Sequence, residues 1–110
     1  MLGPGTDRAY QDDKFSLARA EFDKLEELLG RRKRLADETG DPLARMQTKM
    51  QYAQINLRWA ENSREESRRK NEERLAADKC KDILRLAEQH DLEKSESAEW
   101  ARRTRLRLGY

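Results

Sequence analysis

The sequence contains one cysteine, Cys80, and one histidine, His90, which are the residue types that would supply a thiolate nucleophile and its base. Ten positions separate them, which corresponds to about 15 Å along a single helix at a rise of about 1.5 Å per residue. A nucleophile and its base must lie within hydrogen-bond distance of each other. We therefore do not expect Cys80 and His90 to form a catalytic pair within one chain.

Carboxylates are the other abundant reactive groups, and several are adjacent in sequence: Asp12 and Asp13, Glu65 and Glu66, Glu72 and Glu73. Neighbouring residues on a helix point in different directions, so such pairs are typical of a solvated surface. One cysteine and one histidine are too few for a zinc site, and the sequence has no glycine-rich phosphate loop. We therefore expect a protein that is not an enzyme and that needs no cofactor or metal.

Arginine is the most informative residue type, because it outnumbers lysine by 16 to 8 and binds phosphate through two parallel hydrogen bonds. Contacts with phosphate groups or with an acidic partner are predicted for two basic clusters: Arg31, Arg32, Lys33, Arg34, Arg102, Arg103, Arg105, Arg107. However, the 22 acidic residues would repel nucleic acid wherever they share a face with these clusters. A nucleic-acid-binding accessory protein is therefore the alternative interpretation, and a membrane surface is not an expected partner.

The composition indicates which elements position these residues. Only 35% of the chain is hydrophobic and 42% is charged, against roughly a quarter charged in an ordinary globular domain. The two signs of charge are interleaved and the net charge is only +2, so ion pairs along helices are available. Glycine and proline are scarce, whereas strong helix formers dominate. The composition therefore predicts an all-α protein with a small core.

The single cysteine excludes an intrachain disulfide and favours a reducing compartment. No apolar run approaches the ~18 residues that span a bilayer, and the first residues lack the pattern of a signal peptide. We therefore expect a cytoplasmic protein in which residues 1–6 are a flexible leader and residues 7–110 form a single helical domain.

The first helix is predicted over residues 7–38. Its apolar residues recur at alternating steps of three and four: Phe15, Ala18, Phe22, Leu25, Leu29 and Ala36. The helix should end at a turn over residues 39–42. Gly40 can adopt the left-handed conformation there, Asp41 can cap the next helix, and Pro42 suits its first turn.

The second helix is predicted to be long, residues 42–92, because the polar run 61–74 has no glycine or proline and offers i,i+4 ion pairs. Ser63 with Glu66 would form a capping box that restarts a helix, so a linker at this place stays open. A short last helix is predicted at about 96–107. Together these elements predict an antiparallel helical hairpin or coiled coil, with a three-helix bundle as the alternative.

A hairpin of this kind would leave apolar stripes without a partner, because its second helix carries two apolar faces and extends past the first helix. Partner contacts are predicted for residues of these stripes: Phe15, Leu17, Tyr52, Ile55, Trp59, Leu75, Ile83, Leu84. We therefore expect a protein–protein interaction module, a scaffold or assembly subunit, that forms a homo-oligomer or binds another helical protein.

Overall fold

The computed structural model describes the backbone of residues 4–110 and the side chains of residues 20 and 23–110. The described backbone forms four helices, α1 (Pro4–Thr39), α2 (Pro42–Asn62), α3 (Glu66–His90) and α4 (Glu96–Leu108). The described backbone contains no strand, so the predicted all-α class is confirmed. Helix α1 begins at Pro4, which makes part of the predicted leader helical, while residues 1–3 lie outside the described part of the chain.

The turn between α1 and α2 lies where its local chemistry predicts it. Gly40 has a φ of 70°, and its amide donates to the carbonyl of Ala36 at 2.9 Å. A carboxylate oxygen of Asp41 then accepts from the amide of Leu43 at 3.0 Å, and Pro42 is the first residue of α2. The left-handed glycine, the aspartate cap and the proline therefore reverse the chain within two residues.

The predicted single helix over residues 42–92 is wrong, because α2 ends at Asn62 and α3 begins at Glu66. Ser63 is extended (φ −85°, ψ 135°) and buried. Its hydroxyl donates to the carbonyl of Glu65 at 3.3 Å, and Arg69 donates to the carbonyl of Ser63 at 3.2 Å. These contacts satisfy the backbone at a sharp chain reversal.

Tertiary packing explains why the chain breaks at residues 63–65 and does not continue as one helix. The exposed pair Lys70–Glu66 does form, at 3.4 Å, but such pairs contribute only about 0.3–0.5 kcal/mol each. Folding α3 back against α2 instead buries a whole apolar stripe: Ala76, Cys80, Ile83 and Ala87. The burial of Ile83 alone is worth about 1.5–3 kcal/mol, several times the contribution of one exposed ion pair, so the reversal is favoured.

Helices α2, α3 and α4 share the main core and form a helical bundle. Its fully buried residues are Met46, Cys80, Ile83, Ala87, Ala98 and Ala101. Asp91 ends α3 in the left-handed conformation, and the hydroxyl of Ser95 caps α4 by accepting from the amide of Ala98 at 3.4 Å. Half of the core residues are alanines, which let the helices approach closely.

A polar contact also joins α2 to α3. The side-chain amide of Asn56 donates to a carboxylate oxygen of Glu72 at 2.8 Å, and its carbonyl oxygen accepts from Lys79 Nζ at 2.6 Å. All three side chains are half-buried. The two helices are therefore joined by hydrogen bonds as well as by apolar packing.

Helix α1 packs on α2 and, among the described residues, makes no comparable contact with α3 or α4. Leu29 and Ile55 are the buried pair at this junction, and Tyr52 and Trp59 pack around them. The molecule is consequently elongated. Its dimensions are 59 × 31 × 18 Å and its radius of gyration is 16.6 Å. A compact domain of this length would have a radius of gyration of about 13 Å.

Candidate interaction surfaces

One groove runs along the junction of α1 and α2 and is bordered by the side of α4; we name it the apolar groove. Its apolar lining consists of Leu25, Leu28, Leu29, Ile55, Leu57 and Trp100, and its volume is about 600 Å³. Leu29 and Ile55 form a buried floor, whereas Leu25 is 40% exposed and Leu28 is 55% exposed. The groove therefore presents apolar surface to solvent directly beside a packed junction.

The edge of the apolar groove is mostly basic. Arg32, Arg58 and Arg107 line it together with a single acid, Glu61, which gives a local formal charge of +2. The guanidinium of Arg32 is held by Gln51, whose Oε1 accepts from it at 3.3 Å. An apolar floor with cationic edges is the arrangement that receives an amphipathic helix with acidic flanks.

Three residues with predicted partner contacts lie on the face of α2 that meets α1 within the same chain. Ile55 is buried against Leu29, and Tyr52 and Trp59 are half-buried beside that pair. Burial, with a smaller contribution from the carboxylate of Glu26, raises the pKa of Tyr52. These side chains are therefore used to attach α1 to the bundle.

Of the three predicted partner residues on α3, Ile83 and Leu84 lie in or against the bundle core. Ile83 is fully buried, Leu84 packs partly buried against that core, and Leu75 is half-buried. Ile83 is therefore covered by the chain itself, which folds α3 and α4 back after the break at residues 63–65. The side chains of Phe15 and Leu17 lie outside the described residues.

The basic cluster on α1 does not form one patch, because consecutive residues point in different directions around a helix. Arg31 pairs with Glu27 at 3.5 Å, and Arg32 bonds to Gln51 in the apolar groove. Lys33 lines a different groove, and Arg34 is exposed. The four charges are thus divided among several surfaces.

The arginines of α4 are divided in the same way. Arg102 donates to the carbonyl of Glu93 at 2.7 Å, and Arg103 is exposed. Arg107 lines the apolar groove, whereas Arg105 is half-buried. The structure therefore brings the two predicted basic clusters together only in part, where Arg32 and Arg107 both line the apolar groove.

The lone cysteine is a core residue. Cys80 is fully buried, and burial raises the pKa of its thiol to about 11, although nearby Arg105, Arg107 and Lys79 act in the opposite direction. A thiol must ionise to act as a nucleophile or metal ligand. Near neutral pH Cys80 therefore stays protonated and serves as a small apolar residue.

A second groove lies between α1, α2 and α3; we name it the cationic groove. Its charged lining comprises Lys33, Arg45, Lys49, Lys79 and Arg85 with the two acids Asp37 and Asp82, and its volume is about 610 Å³. Of these charged residues only Lys33 was predicted as a site residue, and Tyr52, which also lines the groove, was predicted as a partner contact. The sequence signal for the others is weak, since Arg45 and Lys49 at i,i+4 are equally typical of a solvated helix face.

Comparison with protein-family models, with curated proteins and with solved structures finds no match to this chain. Within the described residues, no helix combines the length and apolar character needed to cross a bilayer. The two grooves are therefore the features of this chain that bear most directly on its function.

Proposed function

We propose that the protein is a non-enzymatic interaction module that self-associates, with the first part of α1 from a second copy, which is acidic over residues 7–13, as the occupant of the apolar groove. The observation that carries the proposal is the exposure of Leu25 and Leu28 beside the buried pair Leu29 and Ile55. Leucines exposed together along a groove mark an interaction site more often than scattered ones do. The length of α1 and the charge at its start both favour this occupant.

The length of α1 supports a helical occupant from a second copy. Helix α1 has 36 residues and α2 has 21, and the two run in opposite directions from a tight turn. Leu29 packs on Ile55 and Arg32 bonds to Gln51, so the end of α2 lies opposite about position 21 of α1. The first part of α1, before about position 21, therefore extends beyond the end of α2.

Charge complementarity supports the same occupant. Residues 7–13, near the start of α1, contain three acids and one base, whereas the apolar groove carries a formal charge of +2. Farther along the part that α2 leaves uncovered, Phe15 and Ala18 have the spacing of an amphipathic helix. Two copies would exchange these parts reciprocally, which is the closed two-fold arrangement most common among homo-oligomers.

Sedimentation velocity over a range of micromolar concentrations tests the proposal. The unmodified chain is expected to shift from monomer to dimer as concentration rises. The double substitution Leu25→Asp and Leu28→Asp should weaken the dimer at least about tenfold, because each lost leucine contact is worth about 1.5–3 kcal/mol. Raising the salt concentration should also weaken it, since part of the attraction is between exposed charges.

A matched control is available on α4. Leu106 is 82% exposed and does not line the apolar groove, so Leu106→Asp should leave the association unchanged. An unmodified chain that stays monomeric at the highest concentrations would refute the proposal. Equal weakening by Leu106→Asp would show that general hydrophobic contact, and not the groove, drives association.

A further inference from the structure

The cationic groove concentrates positive charge from three helices in one concave place. Lys33 comes from α1, Arg45 and Lys49 from α2, and Lys79 and Arg85 from α3. Against five cations stand two acids, which gives a local formal charge of +3, while the whole chain carries only +2. Charge of one sign in a cleft with low-dielectric walls focuses its field on an oppositely charged ligand.

The two acids of the groove neutralise it incompletely. Asp82 is shared between Lys49, at 3.9 Å, and Arg85, at 4.0 Å. These distances are well above the roughly 2.7–2.9 Å of a strong charge-assisted hydrogen bond. Among the described residues, neither Lys33 nor Lys79 has a carboxylate in ion-pair contact. The groove therefore has unused capacity for an anion.

The guanidinium of Arg45 has a buried hydrogen-bond donor that the described residues leave without an acceptor. Its Nε lies 3.4 Å from a carboxylate oxygen of Asp37, yet this atom is shielded from solvent and makes no hydrogen bond among the described residues. The geometry is that of charge attraction without a formed hydrogen bond. Buried polar groups normally have a partner, so an acceptor in the groove would complete the site.

Lys79 also lies at the groove in surroundings that disfavour its positive charge. Its Nζ donates to Asn56 Oδ1 at 2.6 Å. Burial lowers the pKa of Lys79, and the nearby positive charge of Lys49 lowers it further, although Glu72, Asp78 and Asp82 oppose the effect. An anion between Lys49 and Lys79 would relieve the repulsion between the two ammonium groups.

The shape of the groove favours a small ligand. Its volume of about 610 Å³ falls inside the range of about 300–1,000 Å³ typical of small-molecule sites. Uncharged side chains complete its wall: Ala36, Thr48, Tyr52 and Leu86. Walls from three helices surround a compact anion better than they follow an extended nucleic-acid backbone.

We propose that the cationic groove binds a small polyphosphate anion, either inorganic polyphosphate or the triphosphate group of a nucleotide. The planar guanidinium groups of Arg45 and Arg85 would each donate hydrogen bonds to a phosphate. The ammonium groups of the lysines would supply point charges around the anion: Lys33, Lys49 and Lys79. This proposal does not depend on self-association, because the groove belongs to one chain.

Calorimetric titration of the full chain with tripolyphosphate, ATP and inorganic phosphate, all without divalent metal, tests the site. Tripolyphosphate is expected to bind saturably at one site per chain, and inorganic phosphate at least about tenfold more weakly because it carries less charge. ATP that binds more tightly than tripolyphosphate would assign the site to nucleotides. Equal or weaker binding of ATP would assign it to inorganic polyphosphate.

Charge-matched variants separate a site from general electrostatic attraction. Lys33→Gln and Lys49→Gln should each weaken tripolyphosphate binding at least about fivefold. Lys81→Gln removes the same charge from an exposed position of α3 outside the groove and should leave the affinity unchanged. Circular dichroism of each variant verifies that it is folded.

Three results would overturn the proposal. The first is the absence of saturable binding of tripolyphosphate and ATP at low salt. The second is an equal loss of affinity in Lys81→Gln. The third is binding of single-stranded RNA that requires Lys33 and Lys49 in a chain that does not bind tripolyphosphate, because the groove would then serve a nucleic-acid backbone.

Discussion

Leu29 of α1 and Ile55 of α2 pack against each other and are only 5% and 7% exposed. They form the buried centre of the junction between α1 and α2. The main core is a separate cluster among α2, α3 and α4. The protein therefore has a helical bundle with its own core and a long helix held beside it by a much smaller cluster. The two parts should differ in stability.

Leu29→Ala should loosen α1 without unfolding the bundle. Removing a buried leucine side chain costs about 2–5 kcal/mol, and most of the loss should fall on α1 because few other buried contacts hold it. Hydrogen exchange measured by mass spectrometry should become faster in residues 23–39 and stay unchanged in α3. Faster exchange throughout the chain would instead show that α1 and the bundle unfold together.

Ile83→Ala should destabilise the bundle as a whole. Ile83 is fully buried between the helices, so its truncation leaves a cavity and costs about 2–5 kcal/mol. Urea unfolding followed by circular dichroism gives the change in the free energy of unfolding. Leu106→Ala is the control and should change this free energy by less than about 0.5 kcal/mol, because Leu106 is exposed.

Two glycines offer substitutions with opposite expected signs. Gly30 lies inside α1, where an added Cβ would be 4.0 Å from the hydroxyl of Tyr52, an ordinary contact. Gly30→Ala should therefore stabilise the protein by about 0.5–1 kcal/mol. Gly40 has a φ of +70°, so Gly40→Ala should destabilise it by about 1–2 kcal/mol despite open space.

Thermal unfolding of the two glycine variants beside the unmodified chain checks both signs. A higher melting temperature is expected for Gly30→Ala and a lower one for Gly40→Ala. The same chemical change is made in both variants, so each serves as the control for the other. A fall in both melting temperatures would mean that helix α1 requires glycine at position 30.

The buried thiol of Cys80 should make stability depend on alkaline pH. Burial raises the pKa of Cys80 from 9.0 to about 11, so folding favours the protonated form. This contribution is fully present below pH 9 and is lost as pH rises toward 11; a shift of that size corresponds to about 2–3 kcal/mol. Urea unfolding between pH 8 and pH 11 measures it.

Cys80→Ala provides the comparison, because tyrosines and lysines also titrate in this range. The variant should be less sensitive to the rise in pH than the unmodified chain. In the folded protein, a thiol reagent should also react with Cys80 much more slowly than in urea. Equal pH sensitivity of the two proteins would contradict a buried, protonated thiol.

Local chemistry explains which parts of the fold could be predicted from sequence. Gly40, Asp41 and Pro42 specify their turn through conformations and caps that depend on a few neighbouring residues. The break at residues 63–65 depends instead on what α3 buries after it reverses. In this region the exposed ion pairs favour a helix, but their small energy does not compete with that burial.

The candidate sites were harder to predict for the same reason. The apolar stripes containing Ile55 and Ile83 are readable from spacing, but a single sequence does not say whether a stripe is covered by its own chain or by another. Ile83 is covered by its own bundle. The cationic groove combines residues from three helices, and no stretch of sequence brings Lys33, Lys49 and Lys79 together.

The polar contact of Asn56 has a consequence for how α2 and α3 find their alignment. Half of the buried core residues are alanines, which differ little from one turn to the next, so apolar packing opposes the sliding of one helix by a turn less strongly than a core of large side chains would. Asn56 donates to Glu72 and accepts from Lys79, so its amide matches an acid on one side and an ammonium on the other. If α3 shifted by one turn along α2, both hydrogen bonds of Asn56 would be lost. Asn56 therefore fixes the alignment of the two helices more than it adds to the free energy of folding.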